Sequence, residues 1–352
     1  MSTAGPSQGA KAPLGGSGPR AAGERGGAPH APRTRVVRRP VHGVLLLDKP
    51  LGLSSNQALQ KAKWLLRAEK AGHTGTLDPL ASGVLPLCFG AATKFSGLHL
   101  DADKTYAATL QLGVRTSTGD AEGEVVERRA VPAITAAELE RVRQQFLGTI
   151  TQVPPMHSAL KKDGKPLYDY ARAGIEVERA PRTVQISKLN MALASADQAQ
   201  SAINIIVTCS KGTYIRTLGE DIGQALGCGA HLSALRRLTT GPFREADCIG
   251  LPEFEALDEE QRLARLLPPE ALLTDHQPIT LGEADAGRFL SGLRRRGPWA
   301  DAERVAVFGQ APRALLGAAH VKAGELIPTR LLSPIEIQQI LHAQASPAAA
   351  TP

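Results

Sequence analysis

Gly72-His73-Thr74-Gly75-Thr76-Leu77-Asp78-Pro79-Leu80-Ala81-Ser82-Gly83, running into Val84-Leu85-Pro86-Leu87-Cys88-Phe89, is the most informative stretch of the chain. It gathers three glycines, a proline and a single carboxylate in one loop ahead of an apolar run. Glycine reaches backbone angles that other residues avoid, and Asp-Pro starts turns, so on spacing alone this is a connecting loop. It is not a phosphate cradle. No Lys-Ser/Thr follows the glycines, and no G-x-G-x-x-G stands at a strand-to-helix junction, so nucleotide-cofactor chemistry has no support.

Upstream, Val41-His42-Gly43-Val44-Leu45-Leu46-Leu47-Asp48-Lys49-Pro50 reads as a buried strand ending in a Pro-Leu-Gly turn. Ser54-Ser55-Asn56 can cap a helix through Ala58, Leu59, Ala62, Leu65 and Leu66. Downstream, Lys104 to Val114 alternates as a strand, another is expected near Glu124 to Val126, and Ala136 to Phe146 reads as a helix. Strands resume at Val184 to Leu189 and Ala202 to Thr208, and a helix over Thr217 to Leu226 stops at Gly227. Strands outnumber helices without regular alternation, which favours an α+β domain with a mixed or antiparallel sheet over a doubly wound fold.

Residues 152–183 break the core pattern with Pro154-Pro155, Lys161-Lys162, Asp163-Gly164 and Lys165-Pro166. This is expected to be a long surface excursion with a short helix over Leu167 to Ala171, the kind of segment that is functional or mobile. Pro252 to about Leu267 reads as a helix and Pro268-Pro269 as a linker. Residues 276–335 form a second, β-rich unit with a helix over Ala284 to Ser291 and strands at Val305 to Phe308 and Ala314 to His320. The folded body is expected over 41–270, a disordered basic arm over 1–40, and a disordered Ala/Pro-rich tail over 343–352.

At 352 residues the chain can bury one large and one small core. No stretch approaches 18 uninterrupted apolar residues, and the N-terminus lacks the apolar run of a secretory signal, so a cytoplasmic protein is expected. Cys88, Cys209, Cys228 and Cys248 form no C-x-x-C and are expected to be buried reduced thiols, with neither disulfide nor zinc site. The net charge of +7 is misleading. The first 42 residues carry seven basic side chains against Glu24 alone, leaving the remaining 310 residues at +1. Any nucleic-acid surface on the folded body must therefore rest on local clusters.

Two further segments carry chemistry. Cys209-Ser210-Lys211-Gly212-Thr213-Tyr214-Ile215-Arg216-Thr217-Leu218 leads a strand into a helix with Arg216 at its start, where an arginine can clamp a carboxylate or simply face solvent. Lys104-Thr105-Tyr106 places one of only four tyrosines near a strand end, as a core residue or a base-stacking platform.

Taken together these segments closely resemble the TruB family of tRNA pseudouridine synthases. The match runs in order over roughly residues 42–250: Asp48-Lys49-Pro50, the Asp78 loop, Lys104-Thr105-Tyr106, Gly119-Asp120, Lys211 to Leu218, and Ala234-Leu235-Arg236-Arg237. The resemblance implies a pseudouridine-synthase-like α+β catalytic domain plus a small β-rich, PUA-like C-terminal domain. It implies isomerisation of the T-loop uridine, position 55 of tRNA, with no metal and no cofactor.

Asp78 would be the catalytic carboxylate, Arg216 its ion-pair partner, and Tyr106 the residue stacked on the uracil. Lys49, Tyr214 and Leu235 would line the pocket, His73 would fill the space left by the flipped nucleotide, and Asp120 would contact the RNA or the pocket edge. The 152–183 excursion, with a net charge of +2, matches the family's RNA-covering insertion. Arg294-Arg295-Arg296 would suit phosphate contacts.

The implied partner is the T-arm of tRNA, with no membrane, no obligatory protein partner and a monomeric state. The principal alternative is a non-catalytic tRNA-folding chaperone. A guide-dependent synthase, which lacks the insertion, and a glycoside hydrolase, which needs a second carboxylate, follow at a distance.

Overall fold

The computed structural model describes residues 37–194 and 201–345. The basic arm expected over 1–40 lies outside the described residues up to position 36. Its last residues are held: Arg39 bridges Ala68 in parallel and pairs with Glu259 at 2.6 Å. The expected tail lies outside the described residues from position 346, whereas residues 343–345 complete the final helix, Pro334–Ala345.

Strand β1 (Gly43–Lys49), strand β2 (Ala71–His73), strand β3 (Ala81–Phe89) and strand β4 (Lys104–Leu112) belong to a ten-stranded mixed sheet. Its main path runs Ile249–Gly250, β1, β3, Ala230–Thr240, β4, Ala202–Cys209, Arg182–Leu193 and Gly148–Gln152. β1 runs parallel to Ile249–Gly250 and β3 parallel to Ala230–Thr240, while the other neighbours on the path are antiparallel.

The unbroken apolar runs of β1 and β3 have a direct cause: both of their faces are buried. Leu45, Leu47, Leu85, Leu87 and Phe89 pack on helix α1 (Ser55–Leu65) through Ala58, Leu59, Ala62 and Leu65. Val44, Leu46, Val84 and Cys88 pack on the opposite side against Phe308, Leu315 and Ala318 of the C-terminal sheet. Each large apolar side chain so buried contributes about 1.5–3 kcal/mol. α1 starts at Ser54, whose side chain and that of Gln57 form a reciprocal capping box.

Beyond the centre of the sheet the pattern changes to alternation. Ala108, Leu110 and Leu112 face Leu218 and Ile222 of the helix Ile215–Ala225.

The C-terminal sheet has five strands in the order Gln277–Leu281, Ala302–Gln310, Arg313–Lys322, Glu325–Leu331, Arg295–Arg296. Pro268-Pro269 is no free linker. Pro269–Leu273 forms a 3-10 turn whose Leu272 and Leu273 are buried in the core shared by the two sheets. Lys94 pairs with Glu336 at 2.6 Å, and His42 Nε2 lies 2.8 Å from Gln339 Oε1, so the last helix is tied to the larger sheet. The helix expected over 252–267 is two pieces, Leu251–Ala256 and Glu259–Ala264. Asp258 caps the second and so ends the first.

The central strand Ala230–Thr240 carries no clear strand pattern in its sequence. Two irregularities, between Leu232 and Ala234 and between Arg237 and Thr239, reset its inward phase, so it shows no clean period of two. The four cysteines are free, and Cys248 is only partly buried, not enclosed as expected.

Gly83 lets this strand approach β3. It holds φ +102°, and a Cβ there would stand 2.2 Å from the backbone oxygen of Arg237. Gly83→Ala is therefore expected to destabilise the protein by more than about 4 kcal/mol, measured by urea unfolding, because a backbone clash has no flexible side chain to relieve it. A loss under about 1 kcal/mol would show that the two strands can separate freely.

Candidate active site

β2 and β3 pair antiparallel through Ala71–Phe89, Gly72–Cys88 and His73–Leu87, so residues 74–80 form the connection between them. Ser55, in the first turn of α1, pins that loop. Its hydroxyl accepts from Leu77 N at 2.7 Å and donates to Leu77 O at 3.0 Å. Gly52 N donates to Pro79 O at 2.9 Å. With Leu77 buried, Asp78 is presented outward, its side chain 42% exposed.

The opposing cation is Arg216, in the first turn of Ile215–Ala225 and only 8% exposed at its side chain. Its Nη2 stands 2.9 Å from Asp78 Oδ2 and donates to His157 O at 2.7 Å. Its Nη1 donates to Thr118 O at 3.2 Å and faces Asp120 Oδ2 at 3.5 Å. The guanidinium is thus fixed by partners on every side, and the exposed carboxylate is held against it. Gln152 holds the approach to the helix, accepting from Tyr214 N at 3.0 Å and donating to Tyr214 O at 3.3 Å.

Tyr106 and Leu235 are partly buried and pack against both halves of the larger sheet's core, at its middle. The Asp78 charge is felt at Lys49, Tyr106 and Tyr214, so these groups lie in its neighbourhood. Burial raises the pKa of both tyrosine hydroxyls above the ordinary value, so both are neutral at pH 7. His73, at the end of β2, is half-buried. Burial and then the charge of Arg237 lower its pKa, so the ring is neutral at pH 7.

Asp120 is buried at 3% exposure beside the Asp78–Arg216 pair, where its carboxylate accepts from Thr118 Oγ1 and Glu122 N and faces Arg216. Lys49 is fully buried and donates to the carbonyls of Pro50 at 2.8 Å and Leu53 at 2.5 Å, so it shapes the Pro-Leu-Gly turn as well as charging the pocket. Arg294, Arg295 and Arg296 lie beside two carboxylates. Glu325 pairs with the first and third, and Asp285 with the second.

The excursion contains the expected short helix, Leu167–Arg172, after a hairpin of Lys161–Lys162 with Lys165–Pro166. Its root supplies His157, the carbonyl partner of Arg216. The sequence carries no signal for that residue, because any side chain could stand on that carbonyl. Among the described residues no group of three or more His, Cys, Asp or Glu side chains forms a metal site, and no helix is long and apolar enough to cross a membrane.

Burial lowers the Lys49 ammonium from 10.5 to about 8, against the attraction of Asp78. Between those values the unfolded chain keeps a proton that the folded chain has shed. This group therefore makes stability rise with pH, by up to about 1.4 kcal/mol per pH unit. Wild type is expected to gain on Lys49→Met as pH rises from about 8 to about 10, read by urea unfolding of both proteins. A constant difference would mean that Lys49 titrates alike in both states.

Residues 63–215 match the model of the TruB family pseudouridylate synthase N-terminal domain, and residues 216–274 match that of the tRNA pseudouridylate synthase B C-terminal domain. The chain is 67% identical over 318 residues to a tRNA pseudouridine synthase B of Verminephrobacter eiseniae, covering 90% of this chain and 96% of that protein. It is 56% identical over 305 residues to one of Cupriavidus taiwanensis, covering 85% and 96%. Among solved structures, a Cbf5-Nop10-Gar1 complex matches with a TM-score of 0.64 at 25% identity, over 84% of this chain and 86% of that one. An H/ACA RNP bound to a substrate RNA containing 2'-deoxyuridine shares the fold, with a TM-score of 0.62 at 24% identity over 83% and 86%.

Proposed function

Because the chain belongs to the TruB family of pseudouridine synthases, we propose that Asp78 is the carboxylate with which it converts the T-arm uridine at position 55 of tRNA to pseudouridine. The chain is a tRNA pseudouridine synthase, an isomerase. The observation that carries the role of Asp78 is its pairing: an exposed carboxylate 2.9 Å from a buried, fully engaged guanidinium. The pair keeps the acid oriented while one face stays open to substrate.

The reaction breaks N1–C1′, turns the base, and forms C5–C1′. The hydrogen at C5 leaves as a proton, and N1 ends protonated, so nothing is oxidised and no group is gained. Asp78 attacks or stabilises the sugar or base while that bond is open. Tyr106 stacks on the uracil, and Leu235 and Tyr214 wall the pocket. That apolar enclosure retains the detached base. His73 fills the space the nucleotide leaves. The 152–183 segment closes over the RNA, and the β-rich C-terminal unit serves as a PUA-type contact to tRNA. The enzyme acts in the cytoplasm as a monomer without a protein partner.

Tritium at uracil C5 tests the reading. Purified protein with labelled tRNA transcript, and no added partner or cofactor, is expected to release tritium equivalent to one T-arm uridine per tRNA. Tight binding without release would instead identify a folding chaperone.

A further inference from the structure

Arg237 has the bulkiest side chain among the fully buried residues, at 1% exposure. Its neighbour Arg236 turns to the other face of the sheet and is neutralised by Asp48 at 2.7 Å and Glu245 at 2.6 Å. Arg237 enters no ion pair among the described residues. Its Nε donates to Val84 O at 2.7 Å, and its buried Nη2 has no hydrogen-bond partner. An unpaired buried cation is among the least favourable groups a core can hold. Such a violation of the packing rules, next to a reactive pocket, points to function.

The ladder explains where this charge goes. Arg237 is directly paired with Tyr106 of β4 on one side and with Gly83 of β3 on the other. Paired residues project from the same face of a sheet. The guanidinium therefore lies beside the Tyr106 ring and beneath the loop that carries Asp78. A Cβ on Gly75 would stand 3.6 Å from its Nη1. Its charge and a side-chain hydrogen bond favour ionisation of the Tyr106 hydroxyl, opposing the larger effect of burial, and the same charge is felt at Lys49 and His73.

We infer that Arg237 is a positioning residue for the isomerisation, holding the Tyr106 hydroxyl and the Gly75 turn from beneath while its unneutralised charge favours the uracil anion formed when N1–C1′ opens. A fixed positive charge in a water-poor site needs no reorganisation as negative charge develops above it. The inference rests on the synthase reading, and it assigns the residue no contact with substrate.

The test is single-site: Arg237→Met and Arg237→Lys beside wild type, each measured for tritium release under saturating and limiting tRNA, and for thermal unfolding. Arg237→Met is expected to lose about 100-fold in kcat with KM within about threefold, and to unfold no earlier than wild type, since it removes an unpaired buried charge. Arg237→Lys, which keeps the charge, is expected within about tenfold of wild type.

The alkaline limb of kcat is expected at higher pH in Arg237→Met, a displacement that loss of packing alone does not produce. Should that variant not fold, Arg237→Lys decides, by its rate at wild-type melting temperature. Wild-type kcat in Arg237→Met, or loss of rate and melting temperature together in both variants, would overturn the inference. Failure of wild type to release tritium would overturn the synthase reading, and this inference with it.

Discussion

Asp78→Asn is expected to lower tritium release from C5-labelled tRNA by about 10⁴-fold or more, while tRNA affinity stays within about threefold of wild type. The amide keeps the shape of the side chain and removes only its charge and nucleophilicity. Asp78 is 42% exposed at its side chain, so the loss of its ion pair should change stability by less than about 1 kcal/mol. Arg216 keeps Asp120, Thr118 O and His157 O as partners, so it does not become an orphan. Filter binding and tritium release on the same preparation separate the two quantities. Release within about tenfold of wild type would remove Asp78 from the centre of the reaction, and parallel loss of binding would make it a binding residue.

Arg216→Met is expected to lose activity and stability together. Asp120, 5% exposed at its side chain, would lose its facing cation and become an uncompensated buried charge. Breaking such a pair from one side costs about 3–5 kcal/mol. That corresponds to a drop in Tm of roughly 10 °C for a chain of this size. Turnover should fall by about 10³-fold or more, because Asp78 is no longer held in register with the pocket.

The double variant Arg216→Met with Asp120→Asn should recover much of the melting temperature and none of the turnover, since it removes the buried charge without restoring the clamp. Recovery of both would mean that the arginine served the fold alone. No stability loss in the single variant would mean that Asp120 is not effectively buried.

What the sequence determined on its own was local and chemical. The Asp78 loop is a contiguous motif, so its glycines, proline and carboxylate are visible without any fold. The apolar run of β1 marks a buried strand, and Ser54 marks the start of α1. Resemblance then tied Asp78 to Arg216, which stand 138 positions apart in the chain and 2.9 Å apart in space.

What only the tertiary structure decided was direction and partnership. Arg236 and Arg237 are neighbours of identical chemistry, and irregularities in their strand hide the alternation that would tell them apart. Packing sends the first to two carboxylates and the second, in no ion pair among the described residues, beside Tyr106. The Gly119-Asp120 pair is visible in the sequence, but only the fold brings the buried Asp120 carboxylate to Arg216, 96 positions away. The triple arginine is contiguous in sequence, and only the fold brings Glu325 and Asp285 beside it, leaving one positive charge unbalanced. Sequence order fixes residue identity and short-range backbone preference. The environment of a charge depends on what distant strands bring beside it, and that is set only when the sheet closes.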